Sequence, residues 1–254
     1  MGDENQLLYI QRYEKEFIGP YLEVGSKDYG APQVLRSIFS DRDTYIGVDM
    51  QKGSGVDVVL NFTQEFEKID VKLKGIRFGT IFLMSVLEHC EQPFKMAENL
   101  TSLLKPGGKI CVSVPFSWKF HGFPSDYWRF TPEGVEKLFP KLEFNRANCL
   151  ASTSRKLEIY RPDAEVGKIK FSFKTQIKNG HFIRAISVKI LRGLSKVGIL
   201  RWLAGYRYVL APTMINMIGV DPGKSKNREK FITQFNYIST IRKGKRWRSI
   251  ITNL

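Results

Sequence analysis

Short apolar runs alternate with helix-like stretches through the first 150 residues, and this alternation confines the chain to a small set of folds. "PYLEV" (20–24), "TYIGV" (44–48), "VDVVL" (56–60), "GTIFLM" (79–84) and "KICVSV" (109–114) read as five strands. The fourth is apolar throughout, as a strand buried on both faces must be, so it belongs at the centre of a sheet. Between them, "PQVLRSIFS" (32–40) sets Val34, Leu35, Ile38 and Phe39 on one helical face, with Pro32 suited to the first turn. "FKMAENLTSLLK" (94–105) repeats apolar residues at Phe94, Ala97, Leu100 and Leu104 and stops at "PGG". Thr131 is placed to cap a further helix, with Pro132 at its first position and an end near Phe139. Strands alternating with helices make a parallel sheet covered on both faces, and ligands of such sheets bind beyond the strands' carboxyl ends.

Beyond residue 140 the pattern weakens. "LEFNRANCL" (142–150) reads as a sixth strand, and "FITQFNYISTIRK" (231–243), with Phe235, Tyr237, Ser239 and Ile241 alternating against Asn236, Ile238 and Thr240, as the best late one. This predicts a single domain with its core at 18–150 and 231–243, a basic helical insertion at 155–230 and a basic tail at 244–254. Charge divides the same way: residues 1–154 carry a net −2 and residues 155–254 a net +17. Such asymmetry points to a polyanionic partner, whether acidic lipid, nucleic acid or a phosphate-bearing substrate.

In "FIRAISVKILRGLSKV" (182–197), a helical projection gathers Phe182, Ile183, Ile186, Ile190, Leu194 and Val197 on one arc and Lys189, Arg192 and Lys196 opposite. Two readings stand: a helix lying on an anionic membrane, or one packing its apolar face on the domain. Nucleic acid is a third partner class, since Trp202, Tyr206 and Tyr208 among arginines can stack on bases, but no RNA-binding module is recognisable. Three scattered cysteines give neither a disulfide framework nor a zinc site, and no metal is expected. A reducing cytoplasm fits, with the inner membrane surface as an alternative peripheral location. The polar N-terminal run has no secretory pattern, and no apolar run reaches the length of a membrane-spanning helix.

The turn after the first strand, "YLEVGSKDYG" (21–30), has Lys27 where a dinucleotide fingerprint needs its second glycine. A pyrophosphate is therefore disfavoured. A cofactor without one, such as S-adenosylmethionine, makes no such demand. Gly25 would give it room, Glu23 could face its cationic amino-acid end, and Asp49 after strand two could accept both ribose hydroxyls.

"YLEVGSKDYG", "YIGVDMQKGSGVDVV", "FLMSVLEHCEQP", "LLKPGGKICVSVPF" and "HGFPSDYWRFTPEG" follow in the order seen in class I S-adenosylmethionine-dependent methyltransferases. Over residues 18–140 the chain most resembles their type 11-like branch, which often carries E-V-G-S-[KR] in the first loop. The resemblance implies an α/β, three-layer Rossmann-like fold whose mostly parallel seven-stranded sheet has a reversed last strand, a place that 231–243 would fill. It implies cofactor contacts at Glu23, Gly25, Ser26, Lys27, Asp49 and Met50. Asn61 stands where relatives often place an aspartate for the adenine amino group, and its carbonyl can accept that bond. Ser85, Val86 and Glu88-His89 match the segment lining the methyl-donor pocket, with His89 toward the acceptor.

"FSWKFHGFPSDYWRFT" (116–131) should hang over the crevice, either as a lid packed on the sheet edge with Asp126 and Arg129 paired, or as an acceptor-binding segment. In the second reading Tyr127, Trp128 and Arg129 contact the acceptor, and His121 oriented by Asp126 is the base for a hydroxyl. Many similar type 11-like proteins sit with polysaccharide or lipid-linked glycan pathways, a resemblance that suggests a sugar-like acceptor. The implied function is methyl transfer to a small-molecule or glycan- or lipid-linked hydroxyl. The alternatives are an RNA methyltransferase using the basic segment, and a non-catalytic adaptor with this fold.

Overall fold

The computed structural model describes residues 4–29, 34–122, 124–153, 158–162, 168–170, 173–178, 180–196, 206–208 and 212–223. In chain order these form α1 (Glu4–Tyr13), β1 (Tyr21–Val24), α2 (Val34–Phe39), β2 (Tyr45–Asp49), β3 (Val58–Val59), α3 (Phe66–Lys72), β4 (Phe78–Met84), α4 (Pro93–Ser102) and β5 (Leu104–Pro115). There follow α5 (Pro132–Leu138), β6 (Glu143–Phe144), β7 (Leu150–Ser152), β8 (Ile159–Tyr160), β9 (Lys168–Lys170), α6 (Phe173–Lys178), α7 (Phe182–Lys196), β10 (Tyr206–Tyr208) and β11 (Met214–Val220).

The apolar run of β4 puts it where continuous burial requires. All seven of its residues are buried, and it pairs in parallel with β1 on one side and β5 on the other. The main sheet runs β3-β2-β1-β4-β5-β11-β7-β8, with β11 antiparallel to both its neighbours and β6 also pairing on it. Side chains alternate across a strand, so each strand feeds two cores. Ile81 and Leu83 of β4 join Leu22, Val112 and Ile215 on one face, covered by Ile69 of α3, Ala97 and Leu100 of α4 and Val135 of α5. Phe82 and Met84 point the other way, into Tyr9 and Ile10 of α1 and Leu35 and Phe39 of α2. Helix, sheet, helix: these are the three layers of a Rossmann-like architecture. The α5 cap is as expected, with Thr131 Oγ1 accepting from the Gly134 amide at 3.1 Å.

Three expectations are corrected. The reversed strand beside β5 is β11; the stretch 231–243, expected in that place, lies outside the described residues. A sheet strand, β11, thus lies within the stretch 155–230 that was expected to be a helical insertion. The stretch 142–150 does not form one strand: Asn145 accepts from the Ala147 amide at 2.9 Å, turning the chain between β6 and β7. The first helix, α1, is a further element, whose polar N-terminal sequence had given no sign of a role in the core.

Helix α7 forms as the periodicity indicates, but its apolar arc does not pack inward. Among its described side chains Ala185 and Val188 are buried, while Ile183 is 83% exposed and Ile186 and Ile190 each 59%. Val197, at the end of the expected arc, lies outside the described residues. Among the described residues no helix is long and apolar enough to cross a membrane.

Candidate functional site

A cavity of about 860 Å³ opens at the carboxyl ends of β1, β2 and β4. At one end the loop after β1 turns through Gly25, whose φ of +76° favours glycine; a Cβ there would meet Val86 Cγ2 at 2.6 Å. The Gly25 and Ser26 amides both donate to the Val48 carbonyl, at 2.8 and 3.1 Å, which pins this loop to β2. Ser26 lines the cavity, is buried, and its hydroxyl has no hydrogen-bond partner. A buried orphan on a cavity wall is a group that a ligand would satisfy.

Glu23 takes a 2.6 Å hydrogen bond from the Tyr45 hydroxyl. Burial pushes its carboxyl above the usual range, and the Tyr45 bond opposes this without overcoming it. Asp49 ends β2 on the cavity wall, its Oδ1 accepting from the Gln51 amide at 2.9 Å. Lys27 reaches across the rim to Gln51 Oε1 at 2.6 Å and lies over the Tyr29 ring, 5.0 Å from its centroid. It clasps two loops, which explains how a lysine replaces the glycine of a dinucleotide turn. Met50 is on the wall and largely exposed. Asn61 also lines the cavity, but its side-chain oxygen already accepts from the Thr63 amide and hydroxyl, both at 2.9 Å. The expectation that this carbonyl serves adenine is corrected; what Asn61 can offer is its NH₂.

Ser85 and Val86 follow β4. Ser85 sits at φ +57°, a left-handed conformation held by its amide bond to Ser113 O at 2.9 Å and by Gln6 Nε2, 2.7 Å from its hydroxyl. The same Gln6 nitrogen donates to Ser113 Oγ at 2.9 Å. Helix α1 thus reaches under the site, and its Glu4 lines the cavity.

At the far end stand Glu88, His89, His121 and Tyr127. Glu88 is 1% exposed and its Oε2 has no hydrogen-bond partner; burial pushes its carboxyl up to about 8. His89 Nδ1 lies 2.6 Å from the Ser125 carbonyl, and burial lowers its pKa. His121 Nδ1 is 3.2 Å from both Lys119 O and Asp126 Oδ2. A carbonyl or carboxylate oxygen only accepts, so each Nδ1 carries a proton and donates it to its oxygen partner. The two rings meet edge to face at 5.0 Å.

The loop between β5 and α5 explains the remaining candidates. Asp126, its side chain fully buried, receives Arg129 in a two-bond fork at 2.5 and 2.8 Å and the His121 amide at 2.9 Å. The Arg129 guanidinium, first of these causes, holds the Asp126 carboxyl far below its usual range. Arg129 also donates to the carbonyls of Trp118 and Lys119, and the Trp128 indole to the Cys90 carbonyl at 2.8 Å. Asp126, Trp128 and Arg129 do not line the cavity; they fold the segment that presents His121 and Tyr127. Sequence reasoning missed Gln6, Glu4 and Thr153 on this site. Gln6 and Glu4 were hidden with α1, and Thr153 reaches the wall only through β7.

The fold is the Rossmann-like one of S-adenosylmethionine-dependent methyltransferases. A SAM-dependent methyltransferase from Archaeoglobus fulgidus superposes with a TM-score of 0.50 at 16% identity, covering 86% of this chain and 95% of that one. A candidate methyltransferase from Bacillus halodurans C-125 also gives 0.50, at 11% identity over 86% and 99%. Ubiquinone biosynthesis O-methyltransferases of Coxiella burnetii are 34% identical over 68 residues, 26% of this chain and 29% of theirs. The chain therefore spans less than a third of the length of these curated relatives. No family model matches it.

Proposed function

We propose that this chain is an S-adenosylmethionine-dependent methyltransferase acting on a hydroxyl of a small-molecule or glycan- or lipid-linked acceptor. The observation that carries the reading is one continuous cavity with two unlike ends. One end joins Gly25, the orphan Ser26 hydroxyl, Asp49 and Asn61; the other joins Glu88, His89, His121 and Tyr127. A donor and an acceptor held in such a space meet without crossing solvent. The name of the Coxiella burnetii relatives supports an oxygen acceptor, and the motifs after β5 support the type 11-like branch.

Asp49 accepts the ribose hydroxyls, with Met50 beside the sugar and the Asn61 NH₂ toward an adenine ring nitrogen. Glu23 and the Ser26 hydroxyl face the cationic amino-acid end, and Lys27 keeps the loop closed. Bound there, the sulfonium supplies an already activated methyl group. Ser85 and Val86 shape the wall beside it. The chain's work is to hold an acceptor oxygen in line, at about 3–3.5 Å from the methyl carbon, and to ease loss of its proton. His121 and His89, each held through Nδ1, turn Nε2 chemistry toward that oxygen, with Asp126 as the positioning residue behind His121.

Calorimetry with S-adenosylmethionine tests the reading. Wild type should bind saturably, and Asp49→Ala should bind at least about tenfold more weakly, the loss of roughly 1.4 kcal/mol of hydrogen bonding to a charged group. No heat from wild type would leave only the adaptor reading. The exposed arc of α7 supports a peripheral membrane partner over an RNA one; Trp202, the centre of the base-stacking alternative, lies outside the described residues.

A further inference from the structure

Glu88 and His89 are adjacent in sequence, whereas His121 belongs to the loop after β5, and only the fold brings the three together. One ligand atom from each lies within 4.8 Å of the other two. His89 Nε2 is 4.0 Å from Glu88 Oε1, and Glu88 Oε2 is buried without a hydrogen-bond partner. A carboxylate left in that state is costly unless a cation joins it. Both rings are oriented as metal-binding imidazoles usually are, with Nδ1 on a carbonyl or carboxylate oxygen: Ser125 O for His89, Lys119 O and Asp126 Oδ2 for His121. Asp126 is itself fixed by Arg129, so the outer support is rigid.

We propose that Glu88, His89 and His121 form a binding site for a divalent transition-metal ion of the zinc type at the acceptor end of the cavity. Two imidazoles and one carboxylate are a donor set such ions prefer, and three protein ligands leave open positions for an incoming oxygen. A tetrahedral ion with bonds of about 2.1 Å spaces its ligands about 3.4 Å apart, so small side-chain rotations close the site. The site stands on this geometry alone; its role, lowering the pKa of a coordinated acceptor hydroxyl, rests on the methyltransferase reading. It also supplies a physical reason for burying the Glu88 carboxyl, one oxygen of which has no hydrogen-bond partner, beside two histidines.

The test uses full-length protein carrying no histidine tag, stripped with a chelator and titrated with Zn²⁺, then with Co²⁺ as an optical probe. Saturable one-to-one binding is expected, with a visible Co²⁺ band of low-symmetry coordination and a higher melting temperature. Glu88→Gln and His121→Ala should each weaken binding by more than about tenfold and remove the Co²⁺ band. His121 is on a loop, so its variant keeps the fold if the Glu88 variant does not. Absence of saturable binding by wild type, or binding unchanged in His121→Ala, would overturn the proposal. Because no S-adenosylmethionine is present, a protein that takes up Zn²⁺ but not that cofactor keeps this site and loses the methyltransferase reading, and the reverse outcome does the opposite.

Discussion

Glu23 shows how a single side chain can be set against the stability of its own fold. Its carboxyl is raised by burial, which the Tyr45 hydroxyl and, more weakly, the Arg36 charge oppose without overcoming. A carboxyl raised in the folded state binds its proton more tightly there than in the unfolded chain. Its contribution is therefore greatest below the unfolded pKa, about 4.3, and falls as pH rises through the folded value. Glu23→Gln removes that dependence while its amide oxygen can still accept from Tyr45. The variant should melt higher than wild type at neutral pH, the difference should vanish toward pH 4, and S-adenosylmethionine should bind more weakly at neutral pH. Paired thermal melts across pH check the first part and calorimetry the second; a variant that melts lower than wild type at pH 7 would sink the argument. At this scale Gly25 and Asp49 were legible because strand, turn and spacing are local. The engagement of Asn61 by Thr63 was not, since a loop's hydrogen bonds are chosen by its final conformation. Nor was the meeting of His121 with Glu88, which depends on a long-range fold of the β5–α5 loop by Arg129.

Among elements, α1 and β11 were the ones the sequence hid, for different reasons. Helix α1 buries Asn5 and Gln6 along with Tyr9 and Ile10, so its inward face is half polar and gives no clean apolar period. Those polar groups have distant partners: Asn5 Nδ2 donates to Thr153 O at 3.3 Å and its Oδ1 accepts from the Glu158 amide at 2.7 Å. Strand β11 is buried on both faces and apolar except for Asn216, so it shows no alternation, and the alternating stretch at 231–243 matched the strand template better. The β-α-β order of the first half was legible because each of its strands is bounded by glycine, proline or a polar turn. The α1 reading yields a measurement. Gln6→Ala deprives two serine hydroxyls of their donor at a site where Ser85 holds a strained backbone. It should cost about 1–3 kcal/mol in urea unfolding and weaken cofactor binding without touching the cofactor. A loss below about 0.5 kcal/mol would mean that α1 only decorates the site.

At the scale of the whole molecule the charge division and α7 bear on the same proposed partner. The half that carries the cavity is nearly neutral, while the last hundred residues carry a net +17. A field of one sign attracts any polyanion, so charge alone does not choose between lipid and nucleic acid. The exposed Ile183, Ile186 and Ile190 support the lipid proposal, because a stripe of isoleucines gains by entering an acyl boundary and gains nothing against phosphates and bases. Each Lys or Arg near an anionic surface contributes about 1 kcal/mol, and that attraction fades as the Debye length shrinks to about 3 Å in 1 M salt. Wild type should therefore sediment with phosphatidylserine vesicles at low salt, less at high salt, and little with neutral vesicles. Changing all three isoleucines to Asp places charge on positions already facing solvent, so melting should stay within about 0.5 kcal/mol per site while vesicle binding is lost. Unchanged vesicle binding in the triple variant would mean that the basic residues suffice and that the apolar arc has another partner. An absence of binding by wild type at low salt would remove the membrane from the account and return RNA to consideration.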